Sequence, residues 1–168
     1  MENKLTVLMD TREKPKAVQT IMKQFEAAGV RVIRTKLWVA DYQLFDNPHL
    51  VVDRKANLQE LVGNVCQQHK RFAAELARAQ EVGISVVVLV EHGGGIKSLD
   101  DVPNWVNPRI KVSPLAVSGE RLYKILKAME YTYKVRFEFC DKRQTGKRIL
   151  QILTEGANDA HTDTKAET

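Results

Sequence analysis

The run Ile84–Val90 (ISVVVLV) restricts the fold more than any other stretch of the chain. It is almost wholly β-branched, and Ser85 is its one polar member. β-Branched side chains favour extended backbone, and a strand without polar alternation has no face to offer to water. Such a strand belongs in the interior of a sheet covered by helices on both sides, so the chain reads as α/β.

The flanking patterns agree. Leu5–Met9 is a short apolar strand ending at Asp10. Pro15 suits a first helical turn, and from there Val18, Ile21, Met22, Phe25 and Ala28 recur at helical spacing up to Gly29. Val30–Lys36 alternates like a strand. Tyr42–Phe45 and Leu50–Asp53 read as a hairpin turning through Asp46-Asn47-Pro48-His49. Asn57 is placed to cap a helix bearing Leu58, Leu61, Val62 and Val65. Phe72, Leu76, Ala79 and Val82 mark a second helix ended by Gly83. Residues 92–118 hold three glycines and three prolines without periodicity, and are long for a connection; they are either a functional loop or a mobile one. Leu122, Ile125, Leu126 and Met129 then give a helix, Val135–Phe139 a strand, and Ile149–Leu153 the end of a last helix. The order β-α-β-β-β-α-α-β-loop-α-β-α describes a mixed central sheet flanked by helices. The expected organisation is a single domain over residues 1–154, with an acidic tail at 155–168 that has nothing to pack and is expected to be disordered.

With 168 residues, one domain is the expectation. No apolar run approaches the roughly 18 residues needed to span a bilayer. The opening MENKLTVLMD lacks a charged start followed by a long apolar run, so no secretory signal is expected. Cys66 and Cys140 are too few for a disulfide framework or a four-ligand zinc site, and they suit free thiols in a reducing cytoplasm. Lys and Arg outnumber Asp and Glu by 26 to 21, unevenly: the last 14 residues carry −3 and residues 109–148 carry +7. A basic body is compatible with a nucleic-acid partner.

The acids at strand ends carry the chemistry. Asp10 closes the first strand, Asp41 opens the hairpin, and Asp53 closes its second strand two residues before Lys55. Glu13 and Glu60 flank the group, and Glu91 ends the apolar run. α/β folds assemble sites at strand ends along one edge, and side-chain alternation puts Asp53 and Lys55 on one face of their strand. Two carboxylates and a backbone carbonyl offer hard oxygen ligands to Mg²⁺ or Mn²⁺, with positions left for water and a phosphate oxygen. Such an ion lowers the pKa of bound water and neutralises charge developing on phosphorus. Lys55 would orient the water or stabilise the transition state. This is the D…(D/E)-x-K arrangement of metal-dependent nucleases. The same residues have plainer readings: Asp10 as a helix cap or a partner of Arg12, and a strand-end acid simply facing solvent.

These residues also resemble a known family. Val7-Leu8-Met9-Asp10-Thr11-Arg12-Glu13 is similar to the V-x-x-D-x-R-E opening of XPF-type nuclease domains (excision-repair cross-complementing group four), which include archaeal Hef. Trp38-Val39-Ala40-Asp41-Tyr42 resembles the L-x-x-G-D-Y segment, and Val52-Asp53-Arg54-Lys55 stands where the family has V-E-R-K. Arg71-Phe72 matches the R-[FLY] that follows, and Ile84–Glu91 the apolar strand ending in Glu. The similarity runs in order over residues 5–92 and more loosely to Leu153.

The resemblance implies a restriction-endonuclease-like fold of the PD-(D/E)xK superfamily and one Mg²⁺ or Mn²⁺ site. It implies hydrolysis of phosphodiester bonds in branched, flap or fork DNA, in repair, recombination or phage DNA processing. By position, Asp41 and Asp53 would be metal ligands, Lys55 the catalytic lysine, and Asp10 a support for the metal or its water shell. Arg12 and Glu13 would lie at the edge of the site, Arg54 would be the motif's own basic member, and Arg71 would sit near the scissile phosphate. Three positions depart from the pattern. Ala40 replaces a glycine, a mild change provided the backbone there is not at positive φ. Asp53 replaces a glutamate and is one methylene shorter, which shifts the metal or favours Mn²⁺. The spacing after Lys55 is stretched by one residue, leaving Gln59 or Glu60 as the counterpart of an acid.

Other residues have mostly structural readings. Gly93-Gly94-Gly95 lacks the Gly-Lys-Ser/Thr of a phosphate loop. Trp38 reads as packing beside the site, with a wedge against DNA bases as the alternative. His69, His92 and His161 show no ligand spacing, and Cys66 reads as buried filler rather than a nucleophile. Lys124 and Lys127 on one helix, with Lys142, Arg143, Lys147 and Arg148 on another, form a solvated face. That face contacts the DNA backbone if the nuclease reading holds. Two functions are therefore in view: a metal-dependent DNA endonuclease, and a non-catalytic DNA-binding or partner module that keeps the fold. Retention of Asp10, Asp41, Asp53 and Lys55 favours the enzyme. Nothing after Leu153 offers the tandem helix-hairpin-helix modules of archaeal and eukaryotic members. A stand-alone domain similar to bacterial or phage versions is expected, working on DNA as a homodimer or with a separate DNA-binding partner.

Overall fold

The structure is a computed structural model, and it describes residues 4–163, excepting the side chains of 157–163. Six strands form one mixed sheet, β1 (Thr6–Asp10), β2 (Arg31–Thr35), β3 (Tyr42–Leu44), β4 (Asn47–Lys55), β5 (Ser85–Glu91) and β6 (Arg136–Cys140), in the order β2-β1-β3-β4-β5-β6. β1 runs parallel to β2 and antiparallel to β3, β3 is antiparallel to β4, and β5 is parallel to β6. The helices are α1 (Gln19–Ala27), α2 (Leu58–Val62), α3 (His69–Glu81), α4 (Gly119–Tyr133) and α5 (Thr145–Asp163). Among the described residues no helix is long and apolar enough to cross a membrane. The chain divides into two compact units, one running to Asp53 and resuming at Arg143, the other Arg54–Lys142.

In the first unit, α1 follows β1 and returns the chain to the parallel strand β2. The core is Val7, Met9, Ile21, Phe25, Tyr42, Val51, Val52, Ile149 and Ile152. The rings of Phe25 and Tyr42 meet edge to face at 6.1 Å. α1 is fixed to the start of α5 by Gln24, whose amide donates to the carbonyl of Arg143 and accepts from the N–H of Lys147 at 3.2 Å.

Three expectations change here. α1 starts at Gln19, because Ala17 and Val18 close three-residue turns onto Lys14 and Pro15 instead of starting a helix at Pro15. The hairpin reverses at Phe45-Asp46, so Asn47-Pro48-His49 opens β4. Proline is tolerated there because the first residues of the strand are exposed and need no ladder donor. α5 continues through Gly156 to Asp163, where a tail with nothing to pack was expected; residues 164–168 lie outside the described chain.

In the second unit, β5 is the interior strand that its sequence demands, buried from Val86 to Glu91. α2 is capped by Asn57, as the sequence indicates. A wider helical turn over Gly63–Gln67 then leads into α3. The long 92–118 segment is ordered by two tight helical turns, Leu99–Asn104 and Pro108–Lys111, and by buried Asn107. The Asn107 amide donates to the Val117 carbonyl at 2.9 Å and accepts from Gln59 at 2.9 Å and from the Arg109 N–H at 3.0 Å.

Candidate functional site

In the first unit the strand registers bring three acidic residues onto neighbouring strands. Met9 lies opposite Tyr42, and Tyr42 lies opposite Val52. One step further along, the N–H of Asp10 donates to the Asp41 carbonyl at 2.8 Å, and the N–H of Asp41 donates to the Val52 carbonyl at 3.0 Å. The backbone of Asp41 is thus strung between Asp10 and the residue before Asp53. Asp10 ends β1 and Asp41 directly precedes β3, whereas Asp53, expected to close its strand, lies two residues before the end of β4.

The acids are not equivalent. Asp10 is fully buried and both its oxygens are engaged. Oδ1 accepts from the Arg12 N–H at 2.8 Å and from Arg12 Nε at 2.9 Å; Oδ2 accepts from Arg12 Nη2 at 2.9 Å and from the Leu37 N–H at 3.0 Å. Burial alone would push this carboxyl up, but the side-chain and backbone donors of Arg12, the Leu37 N–H and the guanidinium charge outweigh it. They hold the carboxyl below its ordinary value. Asp10 is therefore the partner of Arg12 and a brace for the loop that delivers Asp41, with its oxygens committed to protein donors. Asp41 and Asp53 are half-buried.

The loop ahead of Asp41 is strained. Ala40 has φ +62°, so the condition under which replacing glycine would be mild is not met. A non-glycine residue in the left-handed region costs roughly 1–2 kcal/mol. Glu13, buried, accepts from the Tyr42 hydroxyl at 2.7 Å and so holds the residue that follows Asp41. Arg34 donates to the carbonyls of Glu13 and Thr11.

β4 carries on into the second unit. Alternation puts Lys55 on the Asp53 face of the strand and Arg54 on the other. Arg54 pairs with Glu91 at 2.7 Å, both side chains at most 10% exposed. Lys55 is buried, its ammonium 5.6 Å from the centroid of the Phe72 ring. Phe72 is the partner that spacing alone did not assign to Lys55, although it follows Arg71 in the family-like motif. Glu60 is occupied in capping α2: its Oε2 accepts from the Ala56 N–H at 2.7 Å while its own N–H donates to Asn57 Oδ1 at 2.9 Å. Arg71 lies on α3, 73% exposed and 3.7 Å from Glu75.

The basic residues expected to meet DNA are at the surface. In the second unit Lys124, Lys127 and Lys142 are exposed, with Lys127 3.7 Å from Glu130. In the first, Arg143 and Lys147 are exposed and Arg148 is half-exposed, donating to Gln151 at 3.2 Å. Cys66 is exposed, not the buried filler expected, and lines a cavity of about 430 Å³ with His69, Arg109 and Arg121. Partial burial pushes its thiol up, the wrong direction for a nucleophile. Burial pushes His92 down, and its Nδ1 is 3.4 Å from the Leu58 N–H. His161 lies among the residues whose side chains are not described. Trp38 does not pack: it is 64% exposed.

Among the described residues no cluster of three or more His, Cys, Asp or Glu is gathered to hold a metal ion. Asp41 and Asp53 do provide the donor set of Mg²⁺ or Mn²⁺ in a phosphate site, which takes one or two carboxylates and completes its shell with water and phosphate oxygens. Asp41 and Asp53 fit the ion on that chemistry, while the oxygens of Asp10 are held by Arg12 and Leu37.

The ERCC4 domain family model matches residues 9–153. Two solved structures share the fold. XPF from Aeropyrum pernix superposes with a TM-score of 0.63 at 19% identity, over 95% of this chain and 69% of that one. XPF from Aeropyrum pernix in complex with DNA gives 0.63 at 22% identity, over 93% of this chain and 66% of that one. No curated protein matches the sequence. The mixed six-stranded sheet with flanking helices expected from the sequence is thus the fold of the XPF structures.

Proposed function

Because this chain belongs to the ERCC4 domain family, we propose that it is a metal-dependent endonuclease acting on branched DNA. The observation that carries the reading is the backbone of Asp41, bonded on one side to Asp10 and on the other to Val52. Two half-buried acidic residues are thereby brought onto adjoining strands. The likeness to an XPF structure solved with DNA supports the choice of substrate.

Each side chain has a part in this reading. Asp41 and Asp53 supply hard oxygens to Mg²⁺ or Mn²⁺, which when bound lowers the pKa of its water and neutralises charge developing on phosphorus. Lys55 presents its ammonium on the Asp53 face of β4, where it attracts the phosphate and stabilises negative charge growing on its oxygens. Packing against Phe72 restricts the lysine to few rotamers, so little reorganisation accompanies the reaction. Asp10 and Glu13 hold the two ends of the segment that carries Asp41. Arg54 pairs with Glu91 and so anchors β4. Arg71, Lys124, Lys127, Lys142, Arg143, Lys147 and Arg148 are the cations for the DNA backbone, which a second copy or a separate DNA-binding protein would help to grip.

The test is cleavage of labelled flap, fork and blunt linear DNA with Mg²⁺, Mn²⁺ or EDTA. Cutting should require the ion, and Asp41→Ala or Asp53→Ala should lower it by roughly a hundredfold or more while folding survives. Cutting that persists in EDTA or in Asp53→Ala overturns the mechanism. Salt-sensitive binding without cutting of any substrate would instead mark a non-catalytic DNA-binding module.

A further inference from the structure

We infer that Trp38, on the loop that leads to Asp41, is a stacking platform for an unpaired nucleobase. This rests on the nuclease reading and adds to it the means of selecting unpaired strands. The indole is 64% exposed, yet the loop that carries it is held on both sides. Leu37 is only 5% exposed, and its N–H is bound to the buried carboxylate of Asp10 at 3.0 Å. Two residues after Trp38, Ala40 is locked at φ +62°, and Asp41 is bonded through both its N–H and its carbonyl. A loop of this kind cannot swing the indole into the core, so a large apolar surface is presented to water on rigid backbone.

The sequence around Trp38 points to the occupant. From Arg31 to Ala40 the chain carries three cations, Arg31, Arg34 and Lys36, and no acid. Lys36 is exposed two residues before Trp38, and the Arg12 side chain is 62% exposed although it is bound to Asp10. An exposed aromatic side chain on a stretch of chain that carries cations suits a polyanion that also has π-faces, namely a single strand of nucleic acid. Bases within a duplex already stack on each other and leave no face for the indole. The platform therefore distinguishes a flap, fork arm or gap from continuous duplex, and does so without reading sequence, because every base has a π-face.

The experiment is run in EDTA, so binding is read without cleavage. The chain has two tryptophans, and Trp105→Phe leaves Trp38 as the only indole. Oligothymidylate should quench the fluorescence of that protein, and a blunt duplex should not. Trp38→Ala should weaken oligothymidylate binding by roughly 5- to 150-fold, the range of one base stacked on an aromatic ring, and should leave duplex affinity and the salt slope unchanged. Trp38→Phe should retain most of the affinity. If oligothymidylate binds with Trp38 unquenched, or Trp38→Ala binds it as the parent does or loses single strand and duplex alike, the platform is refuted and the nuclease reading stands. If the parent protein binds neither DNA, the nuclease reading falls and takes the platform with it.

Discussion

Asp10 shows how much one side chain can organise. Four N–H donors from Arg12 and Leu37 converge on its two oxygens, fixing the turn after β1 and the loop that carries both Trp38 and Asp41. Asp10→Asn keeps the shape but replaces one acceptor oxygen with an NH₂ that faces donors. We expect a loss of roughly 1–3 kcal/mol in urea unfolding at pH 7, where a buried donor is left without its acceptor. The native carboxyl is held below its ordinary value, so its ionised form stabilises the fold. That contribution is complete above the unfolded value near 3.9, and it is lost as pH falls through the lower folded value. The gap between parent and Asp10→Asn should therefore be full at neutral pH and shrink at pH 3. An undiminished gap in acid would show that the carboxylate charge is not what holds the loop. The Asp10–Arg12 pair was legible as an alternative, since the residues are two apart in sequence. The Leu37 N–H was not, because only the parallel pairing of β1 with β2 brings residue 37 back to residue 10.

At the scale of elements, period and composition identified the strands and helices, and long-range contacts decided where they end. β5 could be read outright because its interior position needs no partner to explain it. The extent of α5 could not, because the apolar stripe stops at Leu153 while the backbone continues helical. The 92–118 segment looked irregular because its order comes from Asn107 reaching Gln59, 48 positions away. The same segment makes a demand on α4. A Cβ on Gly119 would lie 2.5 Å from the carbonyl oxygens of Val102 and Trp105. Those are backbone atoms of the tight turn over Leu99–Asn104 and its end, so they can yield only if the turn moves. Gly119→Ala should therefore cost roughly 1–3 kcal/mol by overpacking, despite alanine's better helix propensity. A melting midpoint equal to or above the parent's would show that the turn gives way freely.

For the whole molecule the distribution of charge matters more than its sum. A net +5 is unremarkable, but residues 109–148 hold +7 and include most of the exposed cations assigned to DNA. Whether these residues contact phosphate or merely face solvent is decided by counterion release. Each phosphate neutralised by a lysine contributes about 0.9 to the slope of log affinity against log salt. Lys124 and Lys147 are suited to the measurement. Both side chains are exposed, and the bond that ties Lys147 to Gln24 uses its backbone N–H, which alanine keeps. Lys124→Ala and Lys147→Ala should each leave the unfolding free energy within about 0.5 kcal/mol of the parent. Each should lower the slope by about 0.9, weakening binding to flap and duplex DNA alike because phosphates carry no structural signature. A uniform loss of this kind is the opposite of what Trp38→Ala should do. The pair of measurements therefore separates the residues that hold the backbone from the one that selects the unpaired strand. An unchanged slope in both lysine variants would return them to an ordinary solvated face.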